Sequence, residues 1–249
     1  MSEHWGHYFG LMDNEPASVV LDMEVSEEVD PKEFKYAFVI NISLKCPNED
    51  GFATDDEAEA LNEIETAFNE FVRDRNYVFV GRITCSGERD LFFYYNKVDK
   101  QVLFEATKRY LDPEHYKYNV YSIDEDEPWE IYYTSLYPNL YQLQHMGNAD
   151  VVEALEESGD PLEVARKVEH WLLFEDSRLM DKFTRRIKKE GFIIEEKSRR
   201  TDENDKYTLV ISRNDKVDLD SMNEITDFLI DLLEDYNGEY DGWETFVVK

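Results

Sequence analysis

The chain has 249 residues, of which 57 are acidic and 27 basic, a formal net charge of −30. Hydrophobic residues make up 42%, with Tyr 16 and Phe 15, enough to bury one large core or two ordinary ones and to exclude a disordered chain. The charge repels nucleic acid and anionic membranes and favours basic partners, although an acid-rich surface also serves solubility or salt adaptation.

Residues 5–23 predict two short strands around an Asp13-Asn14-Glu15-Pro16 turn. Phe38, Ile40, Ile42 and Leu44 alternate with Val39, Asn41 and Ser43, the period of a strand. Thr54 to Glu57 has capping-box spacing and predicts a helix with Ala58, Leu61, Ile64, Phe68 and Phe71 on its apolar face. Strands at 77–84 and 90–95 flank a turn at Ser86-Gly87-Glu88-Arg89. A helix at 98–110 follows, then closing strands at 116–121 and 129–133.

Leu136-Tyr137-Pro138-Asn139 predicts a boundary, because proline restricts the residue before it and suits a helix start. Two short helices are expected beyond it, one ending at Gly147 and one, from Asn148 to Ser158, at Gly159. Strand 168–174, helix 177–190, strands 192–197 and 207–213, helix 219–236 and strand 239–248 complete the chain. Both halves therefore read βαββαβ. The expected class is α+β: tandem ferredoxin-like sandwiches with antiparallel sheets, in domains 1–137 and 138–249.

The C-terminal half resembles the RraB family, bacterial protein inhibitors of ribonuclease E. The resemblance rests on Leu136-Tyr137-Pro138, Gly147-Asn148, the run from Leu155 to Asp160, and Val168-Glu169-His170-Trp171. Leu209 to Arg213, Val217-Asp218-Leu219 and the tail from Gly238 to Thr245 extend it. The N-terminal half is similar to a bacterial domain of unknown function, number six-nine-five. There the matching pieces are Pro16-Ala17-Ser18, the run from Asn48 to Gly51, Gly81-Arg82 and the segment at Trp129. The RraB resemblance implies a non-catalytic regulator that binds the basic, arginine-rich scaffold region of ribonuclease E and modulates RNA turnover; the expected location, cytoplasmic, comes from the cysteine pattern and the absence of signal-peptide and membrane-spanning patterns.

No motif for nucleophilic catalysis, phosphate binding or zinc is present, so no catalytic residue, cofactor or metal is assigned. His4 and His7 alone make a poor ligand set, and the Asp124-Glu125-Asp126-Glu127 run reads as a solvated acidic loop. Cys46 and Cys85 lie far apart, without the spacing of a disulfide framework or zinc site, which fits a reducing compartment. The first residues lack a signal-peptide pattern, and no apolar run has membrane-spanning length.

Trp171, Arg213, Glu239, Tyr240, Asp241, Trp243 and Glu244 are the candidate partner-binding residues. Aromatic and arginine side chains dominate interface hot spots, yet the same residues suit a closing strand, and both readings stand. Period two puts His170 and Trp171 on opposite faces; Gly242 suits a bulge re-aiming Trp243, and Asp241 or Glu244 could neutralise Arg213. Residues 178–216 hold 12 basic and 8 acidic residues, including Arg199-Arg200, a positive island read as a solvated helix face, a dock for acidic residues or an RNA contact. The alternative to a regulator is an enzyme with a small-molecule pocket in the tyrosine-rich N-terminal domain, where Arg82 or Arg89 would hold an anion.

Overall fold

The computed structural model describes residues 4–199 and 206–249. The chain is α+β and divides into two compact units, Met1–Gln142 and Leu143–Lys249. In unit 1 a hairpin comes first, β1 Trp5–Met12 and β2 Glu15–Asp22, turned by Asp13 and Asn14 at φ 52° and 70°. Two left-handed residues give the turn whose twist matches the strands it joins. A single helical turn, α1 Val25–Glu28, precedes β3 Tyr36–Ser43, α2 Asp55–Arg73, β4 Val78–Cys85, β5 Glu88–Tyr95, α3 Gln101–Tyr110 and β6 Lys117–Ile123.

These strands form one antiparallel six-stranded sheet in the order β1-β2-β4-β5-β3-β6. The α2 and α3 helices cover one face, where Phe38, Ile40, Ile42, Leu61, Phe68, Leu91, Phe93 and Leu103 form the core. The expected capping box does not form: the Thr54 side chain makes no cap bond, and Glu57 instead accepts from the backbone N–H groups of Lys45 (2.7 Å) and Cys46 (3.0 Å).

The expected strand at 129–133 is absent. Trp129 has φ 65°, and Tyr132–Leu136 form a π-helical turn that lies over the second face of the sheet. Long-range bonds dictate this. The Trp129 indole donates to the Phe34 carbonyl at 2.6 Å and stacks on Tyr94 at 4.6 Å; the hydroxyls of Tyr132 and Tyr8 donate to the carbonyls of Asp22 and Leu136 at 2.7 and 2.9 Å. Covered on both faces, β3 is buried along nearly all its length.

Unit 2 takes in α4 Leu140–Glu157 from residue 143 onwards, then β7 Arg166–Phe174, α5 Ser177–Ile187 with a 3₁₀ turn Lys188–Glu190, β8 Ile193–Arg199, β9 Tyr207–Asp215, α6 Leu219–Glu234 and β10 Gly238–Glu244. The strands form an antiparallel sheet in the order β10-β7-β9-β8. Asp176 and Asp218 cap α5 and α6 through their side chains. The core joins Leu172, Phe174, Phe183, Ile187, Leu209, Ile211, Leu229 and Leu233.

The two short helices expected across Gly147 are one continuous helix, α4. Helix propensity costs about 1 kcal/mol at a glycine. That is outweighed here by burial of Val152 and Leu155 and by the side-chain bonds of Asn148, which fix the turn that Gly147 would otherwise end.

Candidate functional site

The segment that closes unit 2 is built around β10. It pairs with β7, and the register slips by one residue between Tyr240 and Gly242. Gly242 has φ 137°, a conformation that L side chains rarely adopt, so the glycine permits the bulge. The slip brings Tyr240 opposite Leu172 and Trp243 opposite His170, both on the face carrying the helices. Without it, Trp243 would point away from the core.

Trp243 is 8% exposed and packs with Val152, Leu155, Val168, Val217 and Met222. Its indole donates to Asn148 Oδ1 at 2.8 Å. Asn148, fully buried, also accepts from Gln144 at 2.9 Å and donates to Asn223 Oδ1 and Thr226 Oγ1, both at 2.9 Å. Every hydrogen-bonding position of the amide is thereby used, and α4, α6 and β10 are tied at one residue.

The Tyr240 hydroxyl lies 2.7 Å from His170 Nδ1. His170 is fully buried and its Nε2 has no protein partner. Burial, helped by the nearby Arg213 guanidinium, lowers its pKa to about 3, so the ring is neutral; burial alone raises that of Tyr240. Trp171 is half-buried on the opposite face of β7.

Arg213 does not meet Asp241 or Glu244. Its Nε donates to both Asp215 carboxylate oxygens at 3.0 Å, and the guanidinium lies 4.3 Å above the Phe192 ring. Arg213 stands on β9, beyond β7 from β10, so the tail carboxylates are two strands away. Glu239, Asp241 and Glu244 are exposed along β10, with Glu239 bonded to Lys206 at 2.6 Å. Of the seven candidates, the fold gathers Tyr240 and Trp243 inside, sets the three carboxylates on the edge strand, turns Trp171 to the opposite face of β7 and leaves Arg213 apart.

Behind β10, Asp160 and Arg166 form a buried bidentate pair, Arg166 Nη2 donating to Asp160 Oδ1 at 2.6 Å. Asp160 also accepts from the backbone N–H groups of Leu162 (2.8 Å) and Val248 (2.7 Å). The Arg166 bond, first among these, holds the Asp160 carboxyl well below the usual carboxylate range. Asn148 and the His170–Tyr240 pair were not legible as partners, because the bonds that tie them across the unit join residues 70 or more positions apart; Arg166 and Asp160 are only six apart, but nothing in their spacing marks a buried pair.

Many cations of the basic island are locally paired: Arg178 with Asp176, Arg186 with Glu190, Lys197 with Asp181, Arg213 with Asp215 and Lys216 with Glu163. Arg200 lies outside the described residues. In unit 1, Arg82 bonds Glu65 at 2.7 Å and Arg89 donates to Thr84 and Asn62. The ring nitrogens of His4 and His7 lie 2.7 Å from Glu24 and 3.0 Å from Ser18. Among the described residues no three His, Cys, Asp or Glu side chains are grouped to hold a metal ion, and no helix is long and apolar enough to cross a membrane.

No curated protein sequence matches the chain. Among solved structures, the "Crystal Structure of an Unknown Protein from Galdieria sulphuraria" is similar at 10% identity and a TM-score of 0.24, over 86% of this chain and 99% of that one. A second, the "Crystal structure of putative glycine cleavage system transcriptional repressor", is similar at 11% identity and a TM-score of 0.24, over 85% and 98%. Neither likeness is close enough to carry an argument. Residues 145–245 match the family described as Regulator of ribonuclease activity B, and residues 3–137, more than half of the chain, match the Family of unknown function (DUF695). The chain belongs to this DUF695 family and joins to it a region of the RraB type.

Proposed function

We propose that the protein is a non-catalytic, acidic regulator of ribonuclease activity that binds a basic protein segment along β10. The observation that carries this reading is the edge strand itself. Its free side offers main-chain donors and acceptors to an added strand, while Glu239, Asp241 and Glu244 offer charge to arginine and lysine. On this reading Trp171 contributes an aromatic contact, Tyr240 and Trp243 hold the strand in shape from inside, and Arg213 braces β9 against the end of α5 through Asp215 and the Glu190 carbonyl. The match to Regulator of ribonuclease activity B supports a ribonuclease as the regulated enzyme; on this proposal its basic scaffold region is the docking segment, as charge complementarity to the β10 carboxylates requires. We further assign each unit a ferredoxin-like sandwich, separable at about Pro138, and the protein to the cytoplasm, where free thiols such as Cys46 and Cys85 stay reduced. The shared strand order supports the fold: β6-β3-β5-β4 in unit 1 repeats β10-β7-β9-β8 in unit 2, with the β1–β2 hairpin added at one edge.

The test is titration of an arginine-rich peptide into the full-length protein. Binding is expected to weaken steeply with salt, because exposed charges are screened over about 8 Å at physiological ionic strength. Reversing Glu244 to lysine should weaken it severalfold without lowering the melting temperature. Undetectable binding at low salt, or unchanged binding by the reversed protein, would sink the proposal.

A further inference from the structure

The β1–β2 hairpin widens the unit 1 sheet beyond the flank of α2. Register puts Trp5 opposite Asp22, His7 opposite Val20 and Val20 opposite Arg82, so these side chains share the face on which α2 lies. A cleft of about 410 Å³ opens there, floored by Trp5, Val20 and Phe79 and walled by α2 and by Val25 and Val29. Its volume lies within the range that encloses small organic molecules. Trp5 and Phe79 stack at 5.6 Å, so the floor is aromatic.

Two residues of α2 that line this cleft each carry a buried acceptor that the protein leaves unmet. Glu65 is 9% exposed; its Oε1 takes the Arg82 guanidinium, while its Oε2 is buried and receives no hydrogen bond from the protein. Asn69, one helical turn along, has its Oδ1 buried in the same condition. A buried acceptor left unmet is costly, the more so if charged, so a ligand supplying donors there regains what folding gave up. The lining has four carboxylates, Asp22, Glu28, Glu65 and Glu70, against Arg73 and Arg82. With Arg82 engaged by Glu65, only the exposed Arg73 is left to meet an anion, against three further carboxylates.

We propose that this cleft is a binding site for a small organic amine, its ammonium N–H groups meeting Glu65 Oε2 and Asn69 Oδ1 as those side chains turn towards it, and its apolar body lying on Trp5, Val20 and Phe79. Burial raises the Glu65 pKa against the opposing pull of Arg82 and Arg89. The site is independent of the β10 surface: its residues all lie in unit 1.

Calorimetric titration of the full-length protein with phenethylamine, at physiological salt to suppress loose attraction to the acidic surface, tests it. We expect saturable 1:1 binding with a Kd of about 1 mM or tighter. Phenethyl alcohol and phenylacetate, alike in shape, should bind at least about tenfold more weakly, since a site built around unmet acceptors rejects analogues that lack the donors or carry the wrong charge. Glu65→Gln and Asn69→Leu should each weaken the amine by about tenfold or more. If Glu65→Gln fails to fold because Arg82 loses its partner, the half-buried Asn69→Leu decides alone, with its melting curve as the fold control. Failure of the amine to bind, equal or tighter binding of phenylacetate or the alcohol, or full binding by a folded Asn69→Leu protein would each overturn the assignment.

Discussion

Trp243 combines a buried ring with a hydrogen bond to a fully buried amide, and the two contributions separate by mutation. Trp243→Ala should cost about 3–5 kcal/mol, the usual price of truncating a large core aromatic, read by chemical denaturation. Trp243→Phe keeps most of the contact area and leaves Asn148 Oδ1 one donor short, at about 1–3 kcal/mol. A Trp243→Ala protein as stable as wild type would show that the ring does not hold the core. His170 gives a different signature. Its folded pKa, about 3, lies below the ordinary 6.5, so the unfolded chain binds a proton that the folded one refuses. Stability from this residue is complete above about pH 6.5 and is lost as pH falls towards 3. Unfolding free energy between pH 4 and 6 should therefore carry a slope of about one proton that His170→Gln removes; an unchanged slope would mean that the ring is hydrated and titrates freely.

At the scale of elements, Gly147 and Gly81 have opposite prospects. A Cβ at Gly147 meets nothing within 4 Å in the interior of α4, so Gly147→Ala should stabilise by about 0.5–1 kcal/mol. A Cβ at Gly81 would lie 2.6 Å from the Val20 carbonyl oxygen, so Gly81→Ala should lower the melting temperature by forcing β2 and β4 apart. Thermal melts of both variants check the pair. The same glycines show what was legible in the sequence. Strand period two placed His170 and Trp171 on opposite faces, and helix periodicity marked α2, α5 and α6 within a few residues, because those signals come from a burial pattern repeated along one segment. The chain direction at Gly147 and Trp129 depends on partners far away: Asn148 on Asn223 and Thr226, Trp129 on Phe34. A local stop signal or a β-rich composition cannot register such partners, and tertiary bonding overrode both. The cleft acceptors were hidden for a related reason. Only the breadth of the sheet relative to α2 leaves Glu65 and Asn69 facing a hollow.

For the whole molecule, each unit has its own sheet and core, and no strand of one sheet belongs to the other. A fragment comprising residues 138–249 should therefore unfold in a single cooperative transition, as compact domains of this size do. A broad, non-cooperative melt or aggregation would show that the core of unit 2 needs residues before 138. Charge acts at this scale as well. At −30 the molecule repels itself, and moderate salt should raise its thermal stability even while weakening a basic partner's hold.

The strand order of unit 2 also sets a timetable for its birth. The β7 strand leaves the ribosome early, yet one of its two neighbours, β10, is the last strand of the unit to be synthesised. Until Gly238–Glu244 has emerged, the nascent chain carries one open flank of β7, with main-chain groups unpaired beside a growing hydrophobic cluster. Unit 1 passes through the same stage first, β3 keeping one flank open until β6, the last strand of its sheet, has appeared. During translation the acidic N-terminal portion thus stands folded while its successor waits, a soluble escort for a segment that would otherwise invite strand pairing with its neighbours on the polysome.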